Sequence, residues 1–373
     1  MLQKWHLLLI NGGECKMSAV KKARIEWLDA MRGFTMILVV ANHVSQLGFL
    51  EHFRYSVSLS FLMIFRMPLF FFISGFLAYR SSFVWNWKNM GALISKKLQV
   101  QLIPTFVFFL LWVVLLHDNF YQTLINGLIS SMKGGYWFTI SLLYMLIAYY
   151  IFSFVESRMR WRSWIPITLL FLFSLVVYET CYLPQHFSWA QGYRGTPNVF
   201  LCRTSLVRSM MFFPFFLLGN IVHRYWGQAQ KLMDSSWFYP VVIVVAVFST
   251  LEIIFWHTLR MEWQNLPYTI AKFSLLLIVF MYFRYYAPYF SKSTVIGSSL
   301  QYIGRRTLDI YLIHFLFIPN LPTIGAFFGT YRHNFVIDTT LSVMMSLLII
   351  AFCIITSNIL RISPFLRKYL FGR

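Results

Sequence analysis

The sequence predicts an all-α integral membrane protein, a bundle of about ten transmembrane helices with both termini in the cytoplasm. Three observations predict this fold class: the composition, the spacing of apolar runs and the distribution of basic residues. Of the 373 residues, 58% are hydrophobic and only 12% are charged, whereas a soluble globular domain carries about 25% charged residues. The mean hydropathy of +0.63 agrees with a chain that lies mostly in a bilayer.

Apolar runs define the predicted helices. A helix needs about 20 apolar residues to cross the hydrocarbon core of a membrane, and runs near this length recur along the whole chain. They fall at residues 30–50, 56–79, 101–117, 136–155, 164–180, 205–223, 237–257, 267–285, 303–320 and 337–360.

The basic residues predict how these helices are oriented. Cytoplasmic loops of membrane proteins carry an excess of lysine and arginine. With ten helices, most of the 32 Lys and Arg residues fall in the termini and the even-numbered loops, which places both termini in the cytoplasm. The net charge of +20 is therefore explained by membrane topology, and we predict no nucleic-acid partner.

The domain organisation is predicted to be simple. Residues 1–23 form an N-terminal cytoplasmic tail in which Met17 is a second plausible start, and residues 24–369 form one integral membrane domain. The four cysteines show no metal-ligand spacing, so we expect no metal. Cys181 and Cys202 fall in the longest predicted outer loop, where either a disulfide or two separate thiols is consistent with the sequence.

The first predicted helix carries three ionisable residues on one face. Arg32 and His43 are eleven residues apart, almost three helical turns and about 16 Å along the axis. Asp29 precedes Arg32 by three residues and can pair with it. Arg32 as a topology anchor and His43 as a helix–helix hydrogen-bonding residue are the structural alternatives. Together the three residues favour a functional site, with a cation at the inner surface and a titratable base inside the membrane.

Other ionisable residues fall at similar predicted depths on four more helices. Arg66 lies near the bilayer centre, where a cation needs a partner or a water-filled cavity. Glu252 and Lys272 lie in the outer half, where pairing with each other is an alternative to a functional role, and His314 lies near mid-depth. Convergence of these residues with His43 in one site is a hypothesis that depends on the order of the helices.

Five motifs occur in a fixed order along the chain. Each is short, but together with ten spans they are similar to those of the membrane acyltransferase 3 family, which includes bacterial sugar O-acetylases. The resemblance extends from about Arg24 to Tyr369. The motifs are Leu28-Asp29-x-x-Arg32-Gly33 with His43, Met67 to Phe76, Gly134 to Phe138, Phe215 to Asn220, and Ile303 to His314.

The sequence departs from the family pattern at two places. Arg66 stands where members with the Met-Pro-Leu-Phe segment often have His. An Arg-x-x-Arg often precedes the proline of helix 3 in the family, whereas here Gln101 precedes Pro104 and the nearby basic residues are Lys96 and Lys97.

The resemblance implies an enzyme that transfers an acyl group from acyl-CoA, most often acetyl-CoA, to a hydroxyl of a glycan or glycolipid. It implies a multipass protein of the bacterial cytoplasmic (inner) membrane; the oligomeric state is open. His43 would act as general base or carry the acyl group transiently. Arg32, with Lys96 and Lys97, would bind the phosphates of coenzyme A. Asp29 would orient Arg32, and Arg66 or His314 would stabilise the oxyanion. The remaining candidates for substrate binding are Trp137 and Glu252.

A different class of function is a transporter or flippase for a lipid-linked or acylated sugar. Buried charges also mark transport pathways. A transporter, however, would not need His43 at this spacing from Arg32, and it would not consume acetyl-CoA.

Overall fold

The computed structural model describes residues 24–51, 56–182, 199–255, 265–331 and 334–371. All regular secondary structure in these ranges is helical, which confirms the predicted all-α class. The side chains of Cys181, Cys202 and Glu252 lie outside the described residues, so the predictions about them remain predictions.

Seventeen α-helices follow one another in the described ranges. They are α1 (Glu26–His43), α2 (Val57–Ala78), α3 (Trp87–Lys97), α4 (Ile103–Leu116), α5 (Phe120–Ile129), α6 (Trp137–Glu156), α7 (Trp164–Tyr182), α8 (Val199–Arg203), α9 (Leu206–Arg224), α10 (Trp226–Met233), α11 (Phe238–Phe255), α12 (Asn265–Tyr285), α13 (Val295–Arg305), α14 (Thr307–Ile313), α15 (Pro322–Thr330), α16 (Phe335–Leu360) and α17 (Pro364–Phe371). Two π-helical and three 3₁₀-helical segments continue or join them: Val44–Gly48, Leu98–Leu102, Lys133–Gly135, Ala287–Phe290 and His314–Leu316.

Several of these helices have the length and composition of membrane spans. Among the described residues there are six, or seven if the bent pair of α10 and α11 forms one span. The six are Phe61–Ala78, Trp87–Leu116, Trp137–Glu156, Leu206–Arg224, Leu266–Tyr285 and Phe335–Leu360. Every apolar run found in the sequence coincides with at least one helix. The count of ten spans and the side of the termini remain predictions.

Two predicted boundaries need correction. The run predicted from residue 101 begins too late, because the π-helical segment Leu98–Leu102 joins α3 to α4 in one helical stretch. Lys96 and Lys97 therefore lie on a helix, hidden from the hydropathy pattern because α3 is amphipathic. The run at 303–320 is broken at Arg306, whose φ of −113° and ψ of 17° end one helix and begin the next.

Helix α1 lies at the centre of the bundle. It packs against α2, α12, α13, α14 and α16, and most of its residues between Leu28 and Asn42 are buried. A helix that is apolar on nearly all sides is expected in such a position. The residues that the sequence singled out on α1 are therefore held from several directions.

Glycines let two helix pairs cross with their backbones in contact. Where α1 crosses α13, a β-carbon on Gly33 would overlap the carbonyl oxygen of Leu300, and one on Gly304 would overlap that of Asp29. The crossing of α2 and α9 is built in the same way by Gly75 and Gly219. Small residues allow such close approach between membrane helices, where packing rather than the hydrophobic effect drives association.

We expect the Gly75→Ala variant to be less stable than wild type, by about 1–3 kcal/mol, because the added methyl group forces α2 away from α9. Gly91→Ala is the matched control, since Gly91 is also helical but has open space around its Cα; it should be neutral or slightly stabilising. Thermal unfolding of the purified variants in detergent measures the difference. Equal melting temperatures for the two variants would contradict the close crossing.

Candidate functional site

A pair of hydrogen-bonded histidines joins the early and late parts of the chain. Nδ1 of His43 lies 2.8 Å from Nε2 of His314. His43 is the last residue of α1, where the helix passes into its π-helical continuation, and His314 opens the short 3₁₀ segment after α14. His314 is fully buried, whereas His43 is only partly buried. One edge of the pair is thus accessible, and it belongs to His43.

The hydrogen-bond partners of His314 decide the tautomers of both rings. Nδ1 of His314 lies 2.8 Å from the carbonyl oxygen of Tyr311 and 3.1 Å from that of Ile310. Carbonyl oxygens only accept, so this nitrogen carries the proton, and Nε2 of a neutral ring is then an acceptor. The bond between the rings is therefore donated by Nδ1 of His43. Nε2 of His43 keeps its lone pair and can take a proton from a ligand.

Tyr311 fastens the histidine pair to the start of α6. Its hydroxyl donates to the carbonyl oxygen of Gly135 at 2.6 Å and accepts from the backbone N–H of Phe138 at 3.2 Å. Nearby, the hydroxyl of Tyr136 donates to the carbonyl oxygen of Leu312 at 3.0 Å. Gly135 has a φ of 99°, a conformation that other residues rarely adopt. The Gly-Gly-Tyr-Trp-Phe motif thus shapes the loop that holds α14.

Arg66 on α2 is a cation close to this pair. It is 8% exposed, and it lies close enough to His43 and Tyr311 to interact electrostatically with both. Its Nε–H has no hydrogen-bond partner among the described residues. The structure therefore brings together Arg66, His43 and His314, three of the five residues that the hypothesis of convergence named, and Arg66 keeps an N–H group without a partner.

Arg208 on α9 is a second cation near Tyr311, and the sequence reasoning missed it. Its guanidinium lies 4.8 Å from the ring centroid of Trp137, and it interacts electrostatically with Tyr311. Trp137 is buried and also stacks on Phe212. The position of Arg208 as the fourth residue of the apolar run at 205–223 was the signal that could have found it.

At the other end of α1, Arg32 is held by two partners. Its Nη2 donates to Oγ1 of Thr307 at 2.8 Å, and its Nη1 lies 3.5 Å from Oδ1 of Asp29. The pairing of Asp29 with Arg32 that the spacing predicts is therefore present. Thr307 is the first residue of α14, and His314 follows directly after its last residue, so α1 and α14 position both the pair of Arg32 and Thr307 and the histidine pair.

Further basic residues gather beside Arg32. Lys97, at the end of α3, interacts electrostatically with Arg32, Arg80 and Lys96. We call these four residues the basic cluster. Like charges repel one another, and a cluster of this kind is well suited to bind phosphates through charge-assisted hydrogen bonds.

Lys272 contacts α7 rather than the histidine pair. Its Nζ donates to the hydroxyl of Tyr178 at 3.0 Å, and on the neighbouring turns Thr269 donates to Glu179 at 2.7 Å. These contacts join α12 to α7. The sequence predicts Lys272 at a depth similar to that of His43, but its contact with Tyr178 places it beside α7.

An ionic network joins α14 to the C-terminal end of α16. Oδ2 of Asp309 accepts from Nη2 of Arg361 at 2.6 Å and from Oγ of Ser357 at 2.7 Å. Arg306 reaches the same serine at 3.3 Å. Because α14 carries Thr307 at one end and leads into His314 at the other, this network positions both ends of the candidate site.

A comparison with known protein families identifies the class of this protein. A family model described as an acyltransferase domain, Acyl_transf_3, matches residues 25–359. The chain belongs to the acyltransferase 3 family. No curated protein and no solved structure shows a significant match to the chain. The protein is thus a multipass membrane acyltransferase, and the resemblance seen in the sequence motifs is confirmed.

Nearly all of the residues described above lie inside the matched part of the acyltransferase, from Asp29 to Ser357. Arg361 lies two residues beyond it. In the portion that the structure describes, no three His, Cys, Asp or Glu side chains lie together as a metal site would require.

The network around Asp309 can be tested in the acyltransferase by a double-mutant cycle. We expect Asp309→Asn and Arg361→Gln each to lower the free energy of unfolding by about 3 kcal/mol, because each leaves a largely buried charge without its counter-ion. The double variant should lose clearly less than the sum of the two. Arg367→Gln on exposed α17 is the control and should be neutral. Additive losses, measured by thermal unfolding, would refute the coupling.

Proposed function

We propose that this membrane acyltransferase transfers an acyl group, most simply acetyl, from acyl-CoA to a hydroxyl of a glycan or glycolipid in the bacterial cytoplasmic membrane. The observation that supports this most directly is the histidine pair, in which Nε2 of His43 is free to act as a base. We further propose that residues 24–369 form one catalytic domain. The family match supports acyl transfer in general, and the donor and acceptor are part of the proposal.

In the proposed reaction, His43 acts as general base. Its Nε2 takes the proton from the acceptor hydroxyl while the hydroxyl oxygen attacks the carbonyl carbon of the thioester. A new C–O bond forms and the C–S bond breaks. The proton that His43 received passes to the departing thiolate of coenzyme A, so the enzyme returns to its starting state.

The developing oxyanion needs a donor, and Arg66 is the better of the two candidates that the sequence offered. Both nitrogens of His314 are already engaged, one with the carbonyl oxygen of Tyr311 and one with His43. Arg66 retains an unpartnered N–H and stands near His43. A fixed cation in a dry site stabilises such charge strongly. We therefore assign His314 the orientation of His43, and Arg66 the oxyanion.

The basic cluster would bind the phosphates of the donor. Arg32 is oriented by Asp29 and Thr307, and Lys97 adds a second cation beside it. The helical rise along α1 separates Arg32 from His43 by about 16 Å. A donor with phosphates at one end and a reactive thioester at the end of a long arm matches this separation.

Two further residues would contribute to substrate binding. Trp137 would support Arg208, and Glu252 would contact the acceptor.

The first test is transfer of radiolabelled acetyl from acetyl-CoA to a glycan extract of the host by the protein in nanodiscs. We expect His43→Ala to lower the rate by about 10²–10⁴-fold, the usual contribution of a general base. His117→Ala is the matched control, because His117 lies at the end of α4 beside Trp112. It should retain activity.

The same assay separates the remaining possibilities. Label that stays on wild-type protein in the absence of glycan, and is lost in His43→Ala, would replace the general base by an acyl-histidine. Folded wild type that neither transfers label nor consumes the thioester would reject the enzyme and favour a transporter of a lipid-linked sugar.

The role of His314 predicts a graded effect of substitution. Gln at this position offers a carbonyl oxygen to Nδ1–H of His43, whereas Leu of similar size offers nothing. We expect His314→Leu to lower kcat by at least about tenfold more than His314→Gln, with the KM for acetyl-CoA unchanged in both. Equal kcat values for the two variants would argue that His314 only fills space.

A further inference from the structure

A cluster of buried polar side chains lies between α6 and α9, outside the site described so far. Tyr149, Ser153 and Glu156 share one face of α6, and Asn220 and Arg224 share one face of α9. Tyr149 is adjacent to both Ser153 and Asn220, and Arg224 pairs with Glu156 at 2.7 Å. We call these five residues the α6–α9 polar cluster.

Several polar atoms of this cluster lack a well-aligned hydrogen bond within the protein. Among the described residues, Oγ of Ser153, Oδ1 of Asn220, Oε1 of Glu156 and Nη1 of Arg224 are buried without a partner of good hydrogen-bond geometry, although the hydroxyl of Tyr149 interacts with Ser153 and Asn220. Asn220 is fully buried and Ser153 is 4% exposed. Buried polar groups are nearly always paired, and orphaned ones need an explanation. Four on two facing helices indicate a polar occupant.

The chemistry of the orphaned atoms restricts what the occupant is. Two of them only accept hydrogen bonds, one only donates, and the serine hydroxyl does both. The charges of Glu156 and Arg224 cancel, and the carboxylate would repel a phosphate. A neutral group that carries both N–H and C=O, such as an amide, satisfies all of these atoms at once.

The cluster adjoins the basic cluster. Tyr150, next to Tyr149 in the chain and in ring contact with it, interacts electrostatically with Arg80, which is itself near Lys97. Arg224 also lies over the ring of Tyr79, at 5.5 Å. A ligand whose phosphates bind the basic cluster can therefore extend a neutral arm to the α6–α9 polar cluster.

We propose that the α6–α9 polar cluster binds the amide-containing pantetheine arm of the donor, with Asn220 and Ser153 as its main contacts. This rests on the acyl-CoA donor proposed above. The arm carries two amides and a hydroxyl, and amides meet the requirement set by the orphaned atoms. Holding the arm here would direct the thioester away from the basic cluster and into the bundle.

Equilibrium binding tests this without knowledge of the acceptor. Titration calorimetry on protein in nanodiscs would compare CoA with adenosine 3′,5′-bisphosphate, which keeps the nucleotide and lacks the arm. Asn220→Leu and the milder Ser153→Ala should each weaken CoA, Asn220→Leu by about tenfold, and leave the bisphosphate unchanged. Lys97→Ala should weaken both ligands. Ser249→Ala, whose hydroxyl bonds within α11 to Ala246, should weaken neither.

Each other outcome rejects the proposal in a distinguishable way. Unchanged CoA affinity in both cluster variants would mean that the orphaned atoms hold only water. Equal weakening of CoA and the bisphosphate would mean that the variants disturb the fold. Wild type that binds neither ligand would reject the acyl-CoA donor itself, and this subsite with it.

Discussion

The hydrogen bond between His43 and His314 is the interaction on which the candidate site depends. It joins residues 271 positions apart, and it forms only if α1 and α14 lie side by side with their ends at one level. The backbone carbonyl of Tyr311 orients one ring, which orients the second. The side chain of Tyr311 and the network around Asp309 hold α14 in place. Because of these contacts, His43 has a defined tautomer in which Nε2 carries the free lone pair.

The same helices also set the distance over which the protein would act. Arg32 and Thr307 meet at one end of α1 and α14, and the two histidines meet at the other. Glycines at the crossing of α1 and α13 keep α1 in backbone contact with the helix that leads into α14. The separation between the cation and the base is therefore a property of helical rise and close packing, not of flexible loops.

What the sequence predicts well is what lies within one helix. The apolar runs predict the all-α membrane class, and the shared face of Asp29, Arg32 and His43 follows from helical periodicity. Contacts between helices cannot be predicted in this way, because they depend on which helices are neighbours in the bundle, and the hydropathy pattern does not contain that information. His314 and Lys272 fall at similar predicted depths, yet only His314 meets His43. Arg208 and the role of Asn220 do not follow from the sequence, because both lie in one apolar run and their polar and aromatic neighbours on α6 meet them only when α6 and α9 are placed together.

The departure from the family at Arg66 limits how protons can move in this protein. A histidine there would add a further titratable group beside the pair of His43 and His314, able to give or take a proton near neutral pH. An arginine keeps its proton and presents a fixed, delocalised charge with several N–H donors. Arg66 can therefore stabilise negative charge but cannot serve as a base. Proton transfer then falls to His43 alone, which explains why the orientation of that one ring is secured by so many contacts.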